Sequence, residues 1–239
     1  MSDTRDETGW LRRLKQSIAT SAGTIVFGME DGTVSIFGLV FGVAATTNSN
    51  AAVLVAGASG AAAAAVSMMA GAYLESETDR DEKKARQRQL ETDLRCDPGG
   101  VDTMLAERLT AVGLERPQAG ALAGAVRDKP DAINALLVAL HGGTEAETNP
   151  VQQAIWMLVA DFFSAAVPIV PFMLMPVAAA RIVSAGITIL LLVALGAGRG
   201  IIGKRSLVHT IIETVGVGIA AALAGVGIGV LFNNNYGGS

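Results

Sequence analysis

Two adjacent carboxylates, Glu30 and Asp31, stand inside an otherwise apolar run, residues 24–46 of a 239-residue chain. Hydrocarbon solvates an ionised carboxylate poorly: an Asp at the centre of a spanning helix costs roughly 3 kcal/mol on insertion scales, and such residues usually mark an ion path. Other polar groups share this situation, namely Asp161 and the pair His209 and Glu213, each in a further apolar run, while Met68-Met69 adds thioethers. Carboxylate oxygens beside a softer sulfur suit a divalent transition metal, because the oxygens supply charge and the sulfur disfavours Mg²⁺ and Ca²⁺. Fe²⁺ and its neighbours fit that donor set. His209 and Glu213, spaced i to i+4, share one helix face and suit a proton relay or a metal. His209 lies only two residues into its run, however, so an interfacial side chain reaching for water is an equal reading. Asp161 reads either as a proton carrier or as a buried group bonded to a neighbouring helix. Methionine in a span is usually packing, so Met68 gains weight only from the acids.

The elements that must hold these groups are helices in a bilayer. A hydrophobic content of 51% and a mean hydropathy of +0.44 are too apolar for an ordinary soluble domain. A span needs about 20 mostly apolar residues, and five stretches qualify: 24–46, 51–74, 152–174, 177–197 and 207–232. The net charge of −4 says little, because the placement of Lys and Arg relative to the spans decides topology. Four precede the first span, ten lie between the second and third, and Arg199, Lys204 and Arg205 separate the fourth and fifth. Only Arg181 falls elsewhere. The positive-inside rule then places the N-terminus in the cytoplasm and the C-terminus outside. Residues 1–15 are charged and lack a continuous apolar core, so no signal peptide is expected and the first span directs insertion. Cys96 is the single cysteine, which excludes a disulfide within one chain.

Residues 1–23 are expected to form a cytoplasmic segment whose Trp10, Leu11, Leu14 and Ile18 line one face of an interfacial helix. Residues 24–74 hold spans one and two, 75–150 a cytoplasmic helical insert, and 151–239 spans three to five with a short outer tail. Within the insert, Glu75 to Leu94 lacks Gly and Pro and continues span two as a solvated helix, which Cys96-Asp97-Pro98-Gly99-Gly100 ends. Met104, Leu105, Leu109 and Val112 share a face of the next helix, closed by Gly113; helices at 117–126 and 130–140 follow, and Gly142-Gly143 stops the last before a polar linker. Glycines in the spans, notably Gly38, Gly42, Gly225, Gly227 and Gly229, read as close helix packing within the bundle or across a dimer. Pro168 and Pro171 free carbonyls near the end of span three.

Depth tests which acids can meet. At about 1.5 Å per residue, Asp31 lies roughly 10 Å, and Met68 roughly 9 Å, from the cytoplasmic end of its span. Glu213 falls at a comparable height and Asp161 nearer the middle. One layer in the inner half of an all-α, five-span bundle is expected.

The stretch Gly28-Met29-Glu30-Asp31-Gly32-Thr33-Val34-Ser35-Ile36-Phe37-Gly38-Leu39-Val40-Phe41-Gly42-Val43-Ala44 resembles the first-span signature of the vacuolar iron transporter family, the yeast calcium cross-complementer group included. Ser67-Met68-Met69-Ala70-Gly71-Ala72-Tyr73-Leu74 with Arg80-Asp81 is similar to its second-span signature, and Asn149-Pro150 and the Pro168/Pro171 pair match as well. The resemblance implies a homodimer that exports Fe²⁺ or Mn²⁺ from the cytosol, commonly in exchange for protons, along a path at the first two spans. Its membrane metal ligands map onto Asp31 and Met68. The chain also departs from the family. Glu30 stands where the family usually has Asn, and Ala72 where it has Glu, a loss that Glu75 on nearly the same face offsets closer to the cytoplasm. The insert has Gln87, Gln89 and Glu91, then Val101, Asp102 and Leu105, then Leu136-Leu137-Val138 where a glutamate and methionine metal store is usual.

The resulting expectation is a proton-coupled exporter of Fe²⁺ or Mn²⁺, with Asp31 and Met68 as ligands, Glu30 and Glu75 at the mouth, and Asp161, Glu213 and His209 as proton-coupling groups. The metal is substrate, no permanent cofactor is expected, and the partners are the lipid bilayer and a second copy, with no nucleic acid. No nucleotide-binding loop, activated nucleophile or CxxC is present, which argues against an enzyme. A carrier or channel for another substrate and a non-transporting scaffold or sensor remain the alternatives. Compact Ala- and Gly-rich spans suit a prokaryotic plasma membrane.

Overall fold

Local stop signals divide the chain into helices, and in the computed structural model, which describes residues 4–140 and 149–236, they explain most of the boundaries. The described residues are 91% helical, with no strand among them. Helix α1 spans Thr4–Thr20, α2 Ala22–Thr46, α3 Asn50–Cys96, α4 Pro98–Ala111, α5 Arg116–Val126, α6 Pro130–Leu140, α7 Pro150–Leu174, α8 Val177–Ile202 and α9 Leu207–Tyr236. Five of them, α2, α3, α7, α8 and α9, are long and apolar enough to cross a membrane. Their outward side chains include Phe163, Leu174, Ile182 and Leu190, each at least 70% exposed. Apolar exposure on that scale is what a lipid solvent permits. The protein is an all-α, five-span integral membrane protein.

The chain divides into two units, Met1–Leu74 with Thr148–Ser239, and Glu75–Glu147. In the first, Ile36, Val40 and Ala44 of α2 pack with Val53 and Ala61 of α3, Ala165, Ile169 and Phe172 of α7, and Val177 and Ala180 of α8. Glycines set the spacing of the helices. A Cβ at Gly42 would fall 2.6 Å from the Gly225 carbonyl oxygen, and one at Gly38 2.8 Å from that of Ala221. Helices α2 and α9 therefore touch backbone to backbone within one chain, which decides between the two expected uses of these glycines. Gly227 has open space instead. Gly28 leaves room for the Met157 side chain and for Ala160 of α7, with the Met157 sulfur 2.9 Å from where a Cβ would stand.

Polar caps close the turns. The Asn149 side chain accepts from the Val151 N–H at 3.0 Å and Pro150 opens α7. At the other end the Asn50 side-chain amide donates to the carbonyls of Phe172 and Met175, at 2.6 and 2.7 Å, satisfying groups that the helix leaves unpaired. Helix α7 runs through the buried Pro168 and Pro171, and the Ser184 hydroxyl donates to the Pro168 carbonyl at 2.8 Å. Helix α8 ends with Lys204 in the left-handed region at φ +50°, where the Arg205 N–H reaches back to the Gly200 carbonyl at 2.9 Å.

In the second unit, Val101, Leu105 and Leu109 of α4 pack against Ala119 and Ala123 of α5 and Ile133 of α6. Helix α3 ends at Cys96 as expected, and Pro98-Gly99-Gly100 forms the first turn of α4, because the Asp97 carboxylate accepts from the Gly100 N–H at 2.9 Å and caps it. One detail differs from the sequence reading. Val112 does not share the buried face: it follows the last helical residue, before Gly113 at φ +105°, and is 56% exposed. Arg127 pairs with Asp102, and that hydrogen bond raises the guanidinium above its ordinary range. The expected stop at Gly142-Gly143 and the linker after it lie outside the described residues.

Candidate functional site

The acids of α2 sit where three helix segments converge. Glu30 and Asp31 line a cavity of about 480 Å³ together with Arg199 and Gly203 at the end of α8 and Glu213 and Val217 near the start of α9. The Glu30 carboxylate is 14% exposed and accepts at Oε1 from the Thr214 hydroxyl at 2.8 Å and from Arg199 Nη1 at 3.2 Å. Glu213 has two looser ion pairs, with Arg199 Nη2 and Arg205 Nη1, both at 3.9 Å. Asp31 is half-buried and makes no ion pair among the described residues. Counted as ionised, three carboxylates face one guanidinium, leaving two formal negative charges on the cavity wall. Such a wall attracts a divalent cation, the more so where low-dielectric helices focus the field.

Asp161 lies behind this wall rather than on it. Its carboxylate is fully buried, and neither oxygen has a hydrogen-bond partner among the described residues. A Cβ at Gly32 would fall 2.8 Å from Asp161 Oδ1, so Asp161 is level with the residue after Asp31. That corrects the depth count, which set Asp161 nearer the middle. Counting inward from each apolar edge assumes that both helices start at one height, whereas the Gly28 and Gly32 contacts fix the register of α7 on α2 directly.

The other expected residues are not drawn in. Met68 is half-buried on α3 and does not line the cavity, and Glu75 is exposed in the second unit. His209 is exposed and does not line the cavity. Among the described residues no three His, Cys, Asp or Glu side chains cluster as a ready metal site. Sequence reasoning missed Arg199 and Thr214. The signal for Arg199 was present, since a cation at the end of one span lies at the depth of acids near the start of others, but it was counted only as topology.

Five apolar helices, four of which enclose carboxylates, define a multi-pass membrane protein. The family model named VIT family matches residues 22–230, and the chain belongs to that family, one of transporters rather than enzymes. Curated relatives agree over most of their length. The chain is 29% identical over 227 residues to "Vacuolar iron transporter" of Centaurea cyanus, covering 91% of each chain. It is 27% identical over 207 residues to "Vacuolar iron transporter 1" of Eucalyptus grandis, covering 85% of this chain and 83% of that one. The protein of the same name in Arabidopsis thaliana is 27% identical over 203 residues, 84% of this chain and 81% of that one. These relatives are plant proteins named for the vacuole, which gives no support to a prokaryotic plasma membrane.

Proposed function

We propose that the protein carries Fe²⁺ or Mn²⁺ out of the cytosol in exchange for protons, with a second copy of the chain completing the path. The observation that carries this reading is the cavity of about 480 Å³ in which Glu30, Asp31 and Glu213 outnumber Arg199 inside a chain of this family. The relatives' names point to iron. Asp31, half-buried and without a cationic partner, is the membrane ligand, and Met68 adds the thioether that favours a transition metal. Glu30 acts at the cytoplasmic mouth of the cavity. Asp161 is the proton-coupling group best supported by its surroundings, since among the described residues neither oxygen of this buried carboxylate has a bonding partner to compensate its charge. Glu213 and His209 are the outer members of that set.

Open space beside Gly71, two turns or less from Met68 on the exposed face of α3, supports close approach by a second helix there. The excess of Lys and Arg before span one, between spans two and three and between spans four and five, against none at 47–50 or 175–176, supports a cytoplasmic N-terminus and an outer C-terminus. Trp10, Leu14 and Ile18, exposed on α1, suit a helix lying at the cytoplasmic interface. Metal and protons compete for the same carboxylate oxygens, and that competition couples the two flows.

The test is uptake into proteoliposomes of Fe²⁺, Mn²⁺, Zn²⁺ and Ca²⁺ at two pH gradients. Saturable uptake of Fe²⁺ and Mn²⁺ that rises with the gradient is expected, and Asp31→Ala is expected to abolish it. Indifference to the gradient would remove the proton coupling, and undiminished transport by Asp31→Ala would remove the site.

A further inference from the structure

Arg199 is the one residue of the cavity wall that works against a cationic cargo. Its guanidinium is shared: Nη1 lies 3.2 Å from Glu30 Oε1 and Nη2 lies 3.9 Å from Glu213 Oε1. Only the first distance is a hydrogen bond, so the second carboxylate is held by charge alone. The backbone beneath it is fixed. A Cβ at Gly200 would fall 2.6 Å from Thr210 Oγ1 and one at Gly196 2.8 Å from the Ile211 Cα, so the end of α8 lies directly on α9. The Gly203 N–H donates to the Arg199 carbonyl at 2.9 Å and closes the last turn. With its backbone anchored and its side chain 39% exposed, Arg199 has one freedom left, to swing its guanidinium between the carboxylates and solvent.

We propose that Arg199 is a tethered cation that competes with the cargo for Glu30 and Glu213, and so sets how tightly the cavity holds a divalent ion. The inference rests on the metal-transport reading above. While the guanidinium lies between the two acids, it bonds Glu30, shares with Arg205 the offsetting of the Glu213 charge, and repels monovalent and divalent cations alike. A divalent ion, with twice the charge, outcompetes it where a monovalent ion does not. The guanidinium then turns to solvent, and its return helps to expel the ion. Glu30 and Arg199 thus form a pair in which the added acid and the built-in competitor balance each other.

The probe is Mn²⁺, measured as uptake by the full chain in proteoliposomes with K⁺ as the monovalent competitor. Removing a unit charge several ångströms from a divalent ion is worth roughly a tenfold change in affinity even at water-like dielectric. Arg199→Gln is therefore expected to lower the KM for Mn²⁺ by about tenfold and to let K⁺ inhibit, while Arg199→Lys stays near wild type. In a Glu30→Gln background, the effect of Arg199→Gln is expected to shrink, because the carboxylate it competes for is gone. Arg199→Cys in a Cys96→Ser chain gives the same reading after assembly: a cationic thiosulfonate is expected to raise the KM again and a neutral one to leave it low. A KM indifferent to the charge at this position, with only the maximal rate altered and Gln and Lys alike, overturns the inference and leaves Arg199 a structural residue. Wild-type protein that neither binds nor moves Mn²⁺ overturns the transport reading instead.

Discussion

Replacing Gly32 by Ala tests the contact on which the geometry around Asp31 depends. The added methyl carbon would lie 2.8 Å from Asp161 Oδ1 and from Ser164 Oγ, and closer still to the Asp161 carbonyl oxygen, whereas ordinary contact begins at 3.4 Å. At least 0.6 Å of separation is missing, and backbone on both helices leaves little to move. Overpacking of this kind costs about 1–3 kcal/mol. Against it, Ala exceeds Gly in helix propensity by about 1 kcal/mol. Gly186→Ala is the matched control, because a Cβ there meets nothing within 4 Å and only the propensity gain applies. The two variants should therefore differ by about 1–3 kcal/mol, or some 2–12 °C in the unfolding midpoint at the 2–4 °C per kcal/mol usual for chains of this size. Thermal unfolding in detergent, followed by the loss of the monodisperse elution peak, measures the difference. A Gly32→Ala protein as stable as Gly186→Ala would refute the close contact of α2 with α7, and with it the placement of Asp161 level with Asp31.

Asn50→Ala removes two donors from the end of α7 and should destabilise the first unit by about 1–3 kcal/mol, visible as a lower midpoint in the same assay. Asp97→Ala removes the cap of α4 and should cost about 1 kcal/mol locally, read as faster amide exchange at Gly99 to Val101 with the span amides unchanged.

The spans were legible because a stretch of about 20 apolar residues has few other uses, and the helix starts at Pro117, Pro130 and Pro150 because proline fixes the first turn. What escaped was pairwise. The break at Cys96 was legible, but the role of Asp97 as cap of the next helix was not, since it shows only once its carboxylate is on the Gly100 N–H. Gly38 and Gly42 announced a close contact without naming α9 as the partner. Asp31 and Glu213 were legible as candidates from the cost of their charge in hydrocarbon. The role of Arg199 was not, because a basic residue at a span end already has an ordinary explanation, and only coordinates place it between two acids.

The seam between α2 and α9 has a mechanical consequence. Gly38 meets Ala221, and Gly42 meets Gly225, so the two helices run parallel with each carbonyl seated in a notch left by the other's missing side chain. Sliding one along the other would first require lifting it out of those notches. The pair therefore behaves as a single strut that carries Glu30, Asp31, Glu213 and Thr214 at fixed mutual distances. Any rearrangement of these spans then has its hinge outside this strut, and the acids move as a set.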